Sequence, residues 1–149
     1  MALTGPARRF VAEAPVGRFA TVDQQGAPHI IPICFALVGD HLYSVVDQKP
    51  KRTTRLQRLS NIEANPSVAL MIDRYSDDWS QLAWVMVRGD ASVIKSGEEY
   101  TEALRVLREK YPQYRSMNLD GRPMIRLTPD RVNAWASRTE PAVRSSARR

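Results

Sequence analysis

Apolar residues fall along this chain in short runs separated by small turn-forming groups. "GRFATVD" at 17–23 ends at "QQG" and reads as a strand. "APHIIPICFALV" at 27–38 is nearly all apolar and reads as a second strand. "GD" joins it to a third, "HLYSVVD" at 41–47, because such pairs between apolar runs signal hairpins. Three strands in this span predict an antiparallel meander.

Helical spacing appears around these strands. Residues 5–14 predict a short N-terminal helix. Over 50–64, Leu56, Leu59, Ile62 and Ala64 recur about three apart, predicting a helix with one buried stripe, stopped by Asn65–Pro66. "SVALMIDRY" (67–75) reads as a fourth strand, buried on both sides by its continuity, and "SDD" as a turn. "LAWVMVRGDASVI" (82–94) reads as a long fifth strand with a bulge at Gly89. "SGEEYTEALRVLREKYP" (96–112) predicts a helix with Ser96 as cap, Glu99 completing a capping box, and Leu104 and Leu107 facing inward. "RPMIRLTPDRVNAWAS" (122–137) reads as the last strand. The pattern predicts a mainly β chain of the α+β class. It would be a six-stranded antiparallel barrel with two to three helices outside, forming one domain over 1–137. Residues 138–149 read as a basic flexible tail.

Composition narrows this picture. A length of 149 residues suits one domain, and 43% apolar with 26% charged residues is ordinary for a soluble globular protein. Neither a membrane span nor a signal-peptide apolar run is expected, so the expected location is the cytoplasm. One cysteine, Cys34, excludes an internal disulfide framework and a cysteine-based metal cluster.

Charge is localised. Of the net +6, "KPKRTTRLQR" (49–58) carries +5 and the tail from Ser137 carries +3, which leaves −2 for the rest. Pro50 suggests a helix start, yet a helix N-terminus disfavours cations. An anion bound there reverses the penalty, so Lys49, Lys51, Arg52, Arg55 and Arg58 are candidates for a phosphate or carboxylate site.

Other signals are weaker. Pro32, inside an apolar strand, predicts an edge or a bulge whose backbone is free to meet a ligand. Trp84 and Trp135 read as core or dimer interface, whereas Trp79, in a turn, is placed to cover a ligand ring or anchor the loop. His29 and His41, expected on neighbouring strands, lack metal-site spacing. Cys34 reads as a small buried hydrophobe. No nucleophile, acid/base set or nucleotide-loop motif stands out, which suits chemistry supplied by a cofactor.

The succession "GRFATVDQQGAPHIIPICFAL", "HLYSVVDQKPK", "LQRLSNIEANPSVALMIDRY" and "DDWSQLAWVMVRGDASVI" resembles the split β-barrel flavin and deazaflavin oxidoreductases. These are relatives of pyridoxamine phosphate oxidase, and the chain is most similar to their actinobacterial branch that uses coenzyme F-420. The likeness covers about residues 8–136. It implies a homodimer with cofactor sites at the subunit interface. It implies that Lys49, Lys51 and Arg52, with Arg55 and Arg58 beside them, grip the cofactor phosphate. Pro32, Ile33, Val46 and Asp47 would border the ring, and Trp79 matches an aromatic position after the fourth strand. The C-terminal substrate segment of pyridoxamine phosphate oxidases is replaced here by "SRTEPAVRSSARR", which argues against that activity. The expected function is hydride transfer from reduced F-420 to a small-molecule acceptor, with no catalytic side chain and no metal. FMN in the same site, or a cofactor carrier without turnover, is the alternative. Nucleic-acid binding is disfavoured by the mildly acidic body.

Overall fold

The structure, a computed structural model, describes residues 3–47 and 56–137. The elements in chain order are α1 (Gly5–Glu13), β1 (Gly17–Val22), β2 (Pro28–Ile33), β3 (Ala36–Val38), β4 (His41–Val45), α2 (Gln57–Ala64), β5 (Ser67–Arg74), β6 (Ala83–Ile94), α3 (Glu98–Lys110) and β7 (Met124–Ala136). Short 3-10 turns at Trp79–Gln81 and Pro112–Ser116 follow β5 and α3.

One antiparallel sheet contains all seven strands in the order β2-β1-β5-β6-β7-β4-β3. Its two edge strands, β2 and β3, are consecutive in the chain and separated only by Cys34 and Phe35. A sheet whose opposite edges are joined by two residues must curl on itself. Phe19 of β1, Ile33 of β2, Leu42 of β4 and Leu127 of β7 accordingly share one buried core inside a half-barrel. A second core lies under α3, where Tyr100, Ala103, Leu104 and Leu107 meet Tyr43 and Val45 of β4. Among the described residues no helix is long and apolar enough to cross a membrane.

Several expectations change. The apolar run at 27–38 is two strands, not one, so the sheet has seven strands rather than six. β5 is not buried on both sides: Val68, Leu70 and Ile72 are buried while Ala69 and Met71 between them are only half-buried. α2 begins at Gln57, because Leu56 is extended (φ −62°, ψ 138°). Of the five cations, Arg58 lies within α2. Residues 48–55 themselves lie outside the described residues, as does the tail 138–149.

The capping box of α3 does not form. Gly97, at φ 102°, is the N-cap. Glu99 turns to the sheet, accepting from the Tyr43 hydroxyl (2.5 Å) and from Arg126 Nη1 (2.9 Å). Charge-assisted bonds to a tyrosine and a guanidinium outweigh one cap bond. Leu104 and Leu107 do face inward, and the Gly89 bulge is present as a register shift between Arg88 and Gly89. A Cβ at Gly89 would lie 2.0 Å from the Thr128 carbonyl oxygen, so only glycine allows the two strands to meet there. Trp84 and Trp135 are half-buried partners across the β6–β7 ladder.

Candidate functional site

The site is built where β2 breaks from β3. Backbone groups leaving a ladder need other partners. Side chains from the end of α3 supply them. Phe35 N–H donates to the Tyr111 hydroxyl (3.0 Å), and the Phe35 carbonyl accepts from Lys110 Nζ (2.8 Å). The Cys34 carbonyl accepts from Ser44 Oγ (2.7 Å). Lys110 also lies 4.0 Å from the Phe35 ring centroid. Burial pulls its pKa down to about 8 and pushes that of Tyr111 up to about 12.

With the break secured in this way, a cavity of about 330 Å³ opens between the ends of β2 and β4, the start of α2 and the turn after α3. Ile31, Pro32, Ile33 and Cys34 form one wall. Ser44, Val45 and Asp47 form a second, and Arg58 and Tyr114 complete the lining. Tyr114 donates to Asp47 Oδ2 (3.1 Å), and Arg122 Nη1 donates to the Asp47 carbonyl (2.8 Å). Burial raises the Tyr114 pKa well above its ordinary value, with the Cys34 thiol and the Asp47 carboxylate adding to the effect. Burial also lowers that of Arg58, against the pull of Asp47 and Tyr114. Arg58 Nε is shielded from solvent and has no hydrogen-bond partner among the described residues. A buried donor left unmade costs about 1–3 kcal/mol, or more when charged, so Arg58 Nε calls for an acceptor beyond the described residues.

Of the residues expected at the site, Pro32, Ile33, Asp47 and Arg58 line this one cavity. Val46 is next to it in sequence but turned into the barrel core, with its N–H bonded to the Pro123 carbonyl (2.8 Å). Trp79 is 68% exposed in the β5–β6 connection and does not line the cavity. Lys49, Lys51, Arg52 and Arg55 lie outside the described residues.

Cys34 is half-buried at the cavity rather than a core residue. Ser44 and Tyr114 were not foreseen; the tyrosines at 111 and 114, three apart around Pro112, were the available signal. His29 and His41 are on β2 and β4, which are not neighbours. Among the described residues no group of three His, Cys, Asp or Glu side chains could hold a metal ion.

An antiparallel half-barrel with a cavity of mixed polar and apolar lining at a strand break, carrying one guanidinium and one carboxylate, has a form suited to a small molecule. A family model described as pyridoxamine 5'-phosphate oxidase matches residues 3–136, and the chain belongs to that family. No curated protein matches the chain significantly.

Solved structures share the fold. A conserved hypothetical protein from Mycobacterium tuberculosis aligns with a TM-score of 0.74 at 20% identity, covering 92% of this chain and 88% of that one. HutZ, the heme storage protein from Vibrio cholerae, aligns with a TM-score of 0.68 at 17% identity, covering 91% and 95%. A heme binding protein from Mycobacterium smegmatis aligns with a TM-score of 0.71 at 20% identity, covering 86% of this chain and 51% of that one.

Proposed function

We propose that this chain is an oxidoreductase that binds coenzyme F-420, with FMN as the alternative ligand of the same site, and that it works as a cytoplasmic homodimer. The observation that carries the reading is the shielded, unpartnered Arg58 Nε in a cavity walled by apolar β2 residues. Those residues fit a flat ring: Ile31, Pro32 and Ile33 give it an apolar wall, and Asp47 and Arg58 give its edge polar partners. Lys49, Lys51, Arg52 and Arg55 stand in the sequence between Asp47 and Arg58, where they suit a phosphate. The further negative charges of F-420 favour it over FMN for so basic a stretch.

When bound, the reduced deazaflavin supplies a hydride to an electron-poor acceptor. The protein's own contribution is to hold donor and acceptor together, an effect worth roughly 7–11 kcal/mol for well-oriented pairs. No side chain is assigned an acid or base role, and solvent supplies the proton. Trp79, exposed and aromatic, is suited to cover a ring held by a second copy.

Titrating the purified protein with F-420 and with FMN, followed by fluorescence, tests the reading. Micromolar binding of one supports it, and Lys51→Ala or Arg52→Ala should then remove most of the affinity. Binding of neither removes it. Sedimentation of the purified chain checks the dimer.

A second reading, ligand binding without turnover, is favoured by the two neighbours described as heme storage and heme binding proteins. His29 Nδ1, shielded and without a hydrogen-bond partner among the described residues, belongs to the imidazole it would use. Hemin binding that His29→Ala abolishes would support this reading over the first.

A further inference from the structure

A cavity of about 570 Å³ runs beside α3 and the turn after it, and it shares no lining residue with the strand-break cavity. Three arginines line it, and they are held in two different ways. Arg105 is neutralised: Nε and Nη2 donate to the Glu102 carboxylate (3.0 and 2.7 Å), and Nη1 donates to Glu109. Arg108 and Arg115 belong to none of the ion pairs formed among the described residues. Main-chain carbonyls hold each of them along one edge. Arg108 Nε and Nη2 donate to the Tyr114 and Met117 carbonyls (3.2 and 3.1 Å). Arg115 Nε and Nη2 donate to the Arg108 and Glu109 carbonyls (2.9 and 3.1 Å).

A carbonyl orients a guanidinium without cancelling its charge. Two cations are therefore fixed in direction and left unneutralised on one cavity. Their Nη1 atoms have no hydrogen-bond partner among the described residues, and neither residue contributes a shielded, unpartnered atom of the kind found at Arg58. These donors are within reach of a molecule in the cavity. Capping the end of α3 accounts for the held edge of Arg115, but it does not account for a second unneutralised guanidinium beside it. The rest of the lining is apolar in character. Leu104 and the Tyr100 ring contribute, with the Tyr100 hydroxyl directed to the Leu119 and Arg122 carbonyls (2.9 and 2.7 Å). The alkyl stems of the arginines add to this surface. Asp120 also lines the cavity, in no ion pair among the described residues, and its charge opposes a doubly charged ligand more than a singly charged one.

We propose that this cavity is a second binding site, for a small monocarboxylate on an apolar body. Arg108 and Arg115 hold the carboxylate through their free Nη1 edges, and the body lies against Leu104 and Tyr100. Arg105 takes no part, because Glu102 and Glu109 already occupy it. The site is independent of the cofactor reading, since no residue is common to the two cavities. A volume of about 570 Å³ is within the range of small-molecule pockets.

The test uses four probes with one body: 2-naphthoate, 2-naphthol, 2-naphthyl phosphate and 2-naphthylmethylammonium. Each is titrated into the full chain by calorimetry, and the arginine Nε–H and Leu104 methyl resonances are followed by NMR. 2-Naphthoate should bind with shifts at Leu104, Arg108 and Arg115. 2-Naphthol should bind about tenfold or more weakly, the loss expected for hydrogen bonds to a charged group. The ammonium should not bind, and the phosphate should bind no more tightly than the carboxylate. Arg115→Gln and Arg108→Gln should each weaken 2-naphthoate about tenfold. Asp120→Asn, which removes a like charge, should strengthen it about twofold. Thr101→Trp, at an exposed position on the cavity, should block it with the urea midpoint unchanged, which separates occlusion from misfolding. If 2-naphthoate does not bind, or binds no better than 2-naphthol, the arginines only tie α3 to its turn and the proposal falls. It falls equally if the shifts lie elsewhere, or if both arginine variants bind like wild type. Tighter binding of the phosphate overturns the assignment of a carboxylate.

Discussion

Along the β6–β7 ladder, backbone bonds to backbone from Ala83↔Ala136 to Ile94↔Met124, with one shift at Gly89. At Cys34–Phe35 the backbone is held instead by Ser44, Lys110 and Tyr111. The ladder runs the length of both strands, and its bulge is so tight that a β-carbon does not fit. The corner gives its backbone groups to side chains reaching in from α3 and β4, and this bends the chain away from its neighbours and opens a cavity. The same polypeptide thus uses backbone pairing to make a rigid wall and side-chain bonding to make a binding corner.

Substitutions on each side can break this contrast. The largest loss is expected at the wall: Gly89→Val forces side-chain atoms into the Thr128 backbone and should cost about 3 kcal/mol or more in urea unfolding. At the corner, Tyr111→Phe removes the acceptor of the buried Phe35 N–H and should cost about 1–3 kcal/mol. The corner substitution should also weaken ligand binding, and the wall substitution should do so only through unfolding.

Lys110 sharpens the picture through pH. Its folded pKa of about 8 lies below the ordinary 10.5, so the unfolded chain holds the proton more tightly between those values. Its penalty is therefore full below pH 8, and stability should climb as pH rises from about 8 to 10.5. Lys110→Met should flatten that climb, by on the order of 1 kcal/mol after allowance for partial exposure.

The smallest effect belongs to Glu99, where the Tyr43 hydroxyl and Arg126 hold the carboxyl below its ordinary 4.5. Its contribution is present above pH 4.5 and is lost as pH falls through the depressed value. Glu99→Gln should remove that acid dependence, worth a few tenths of a kcal/mol at so exposed a pair.

The wall was the more legible half in the sequence. Alternation along 82–94 and 122–137 places β6 and β7 within about a residue or two of their ends, and Gly89 marks its own bulge. The corner was not legible. Continuous apolar character over 27–38 does not show where the ladder bonds stop, because the groups that end them, Lys110 and Tyr111, lie 75 and 76 residues downstream. Leu56 matches the helical stripe but stays extended, so periodicity places the start of α2 too early. At the site, charge picked out Arg58, the strand proline picked out Pro32, and the family resemblance supplied Ile33 and Asp47. Tyr114 carried no comparable mark, since it serves the cavity from a short turn of a distant element. Ser96 and Glu99 have the spacing of a cap, but Arg126 and Tyr43 compete for the carboxylate with better geometry.

The edge strand β2 carries one more consequence. Pro28 and Pro32 occupy alternate positions opposite Val22 and Arg18, and an antiparallel ladder needs donors only at the intervening residues. Along its outward side Ile30 alone can offer an N–H. A foreign strand trying to template onto this edge would find carbonyl groups with almost nothing to receive from in return. Fibril-like growth is blocked at this edge by the same two prolines that leave the neighbouring backbone open to a small molecule.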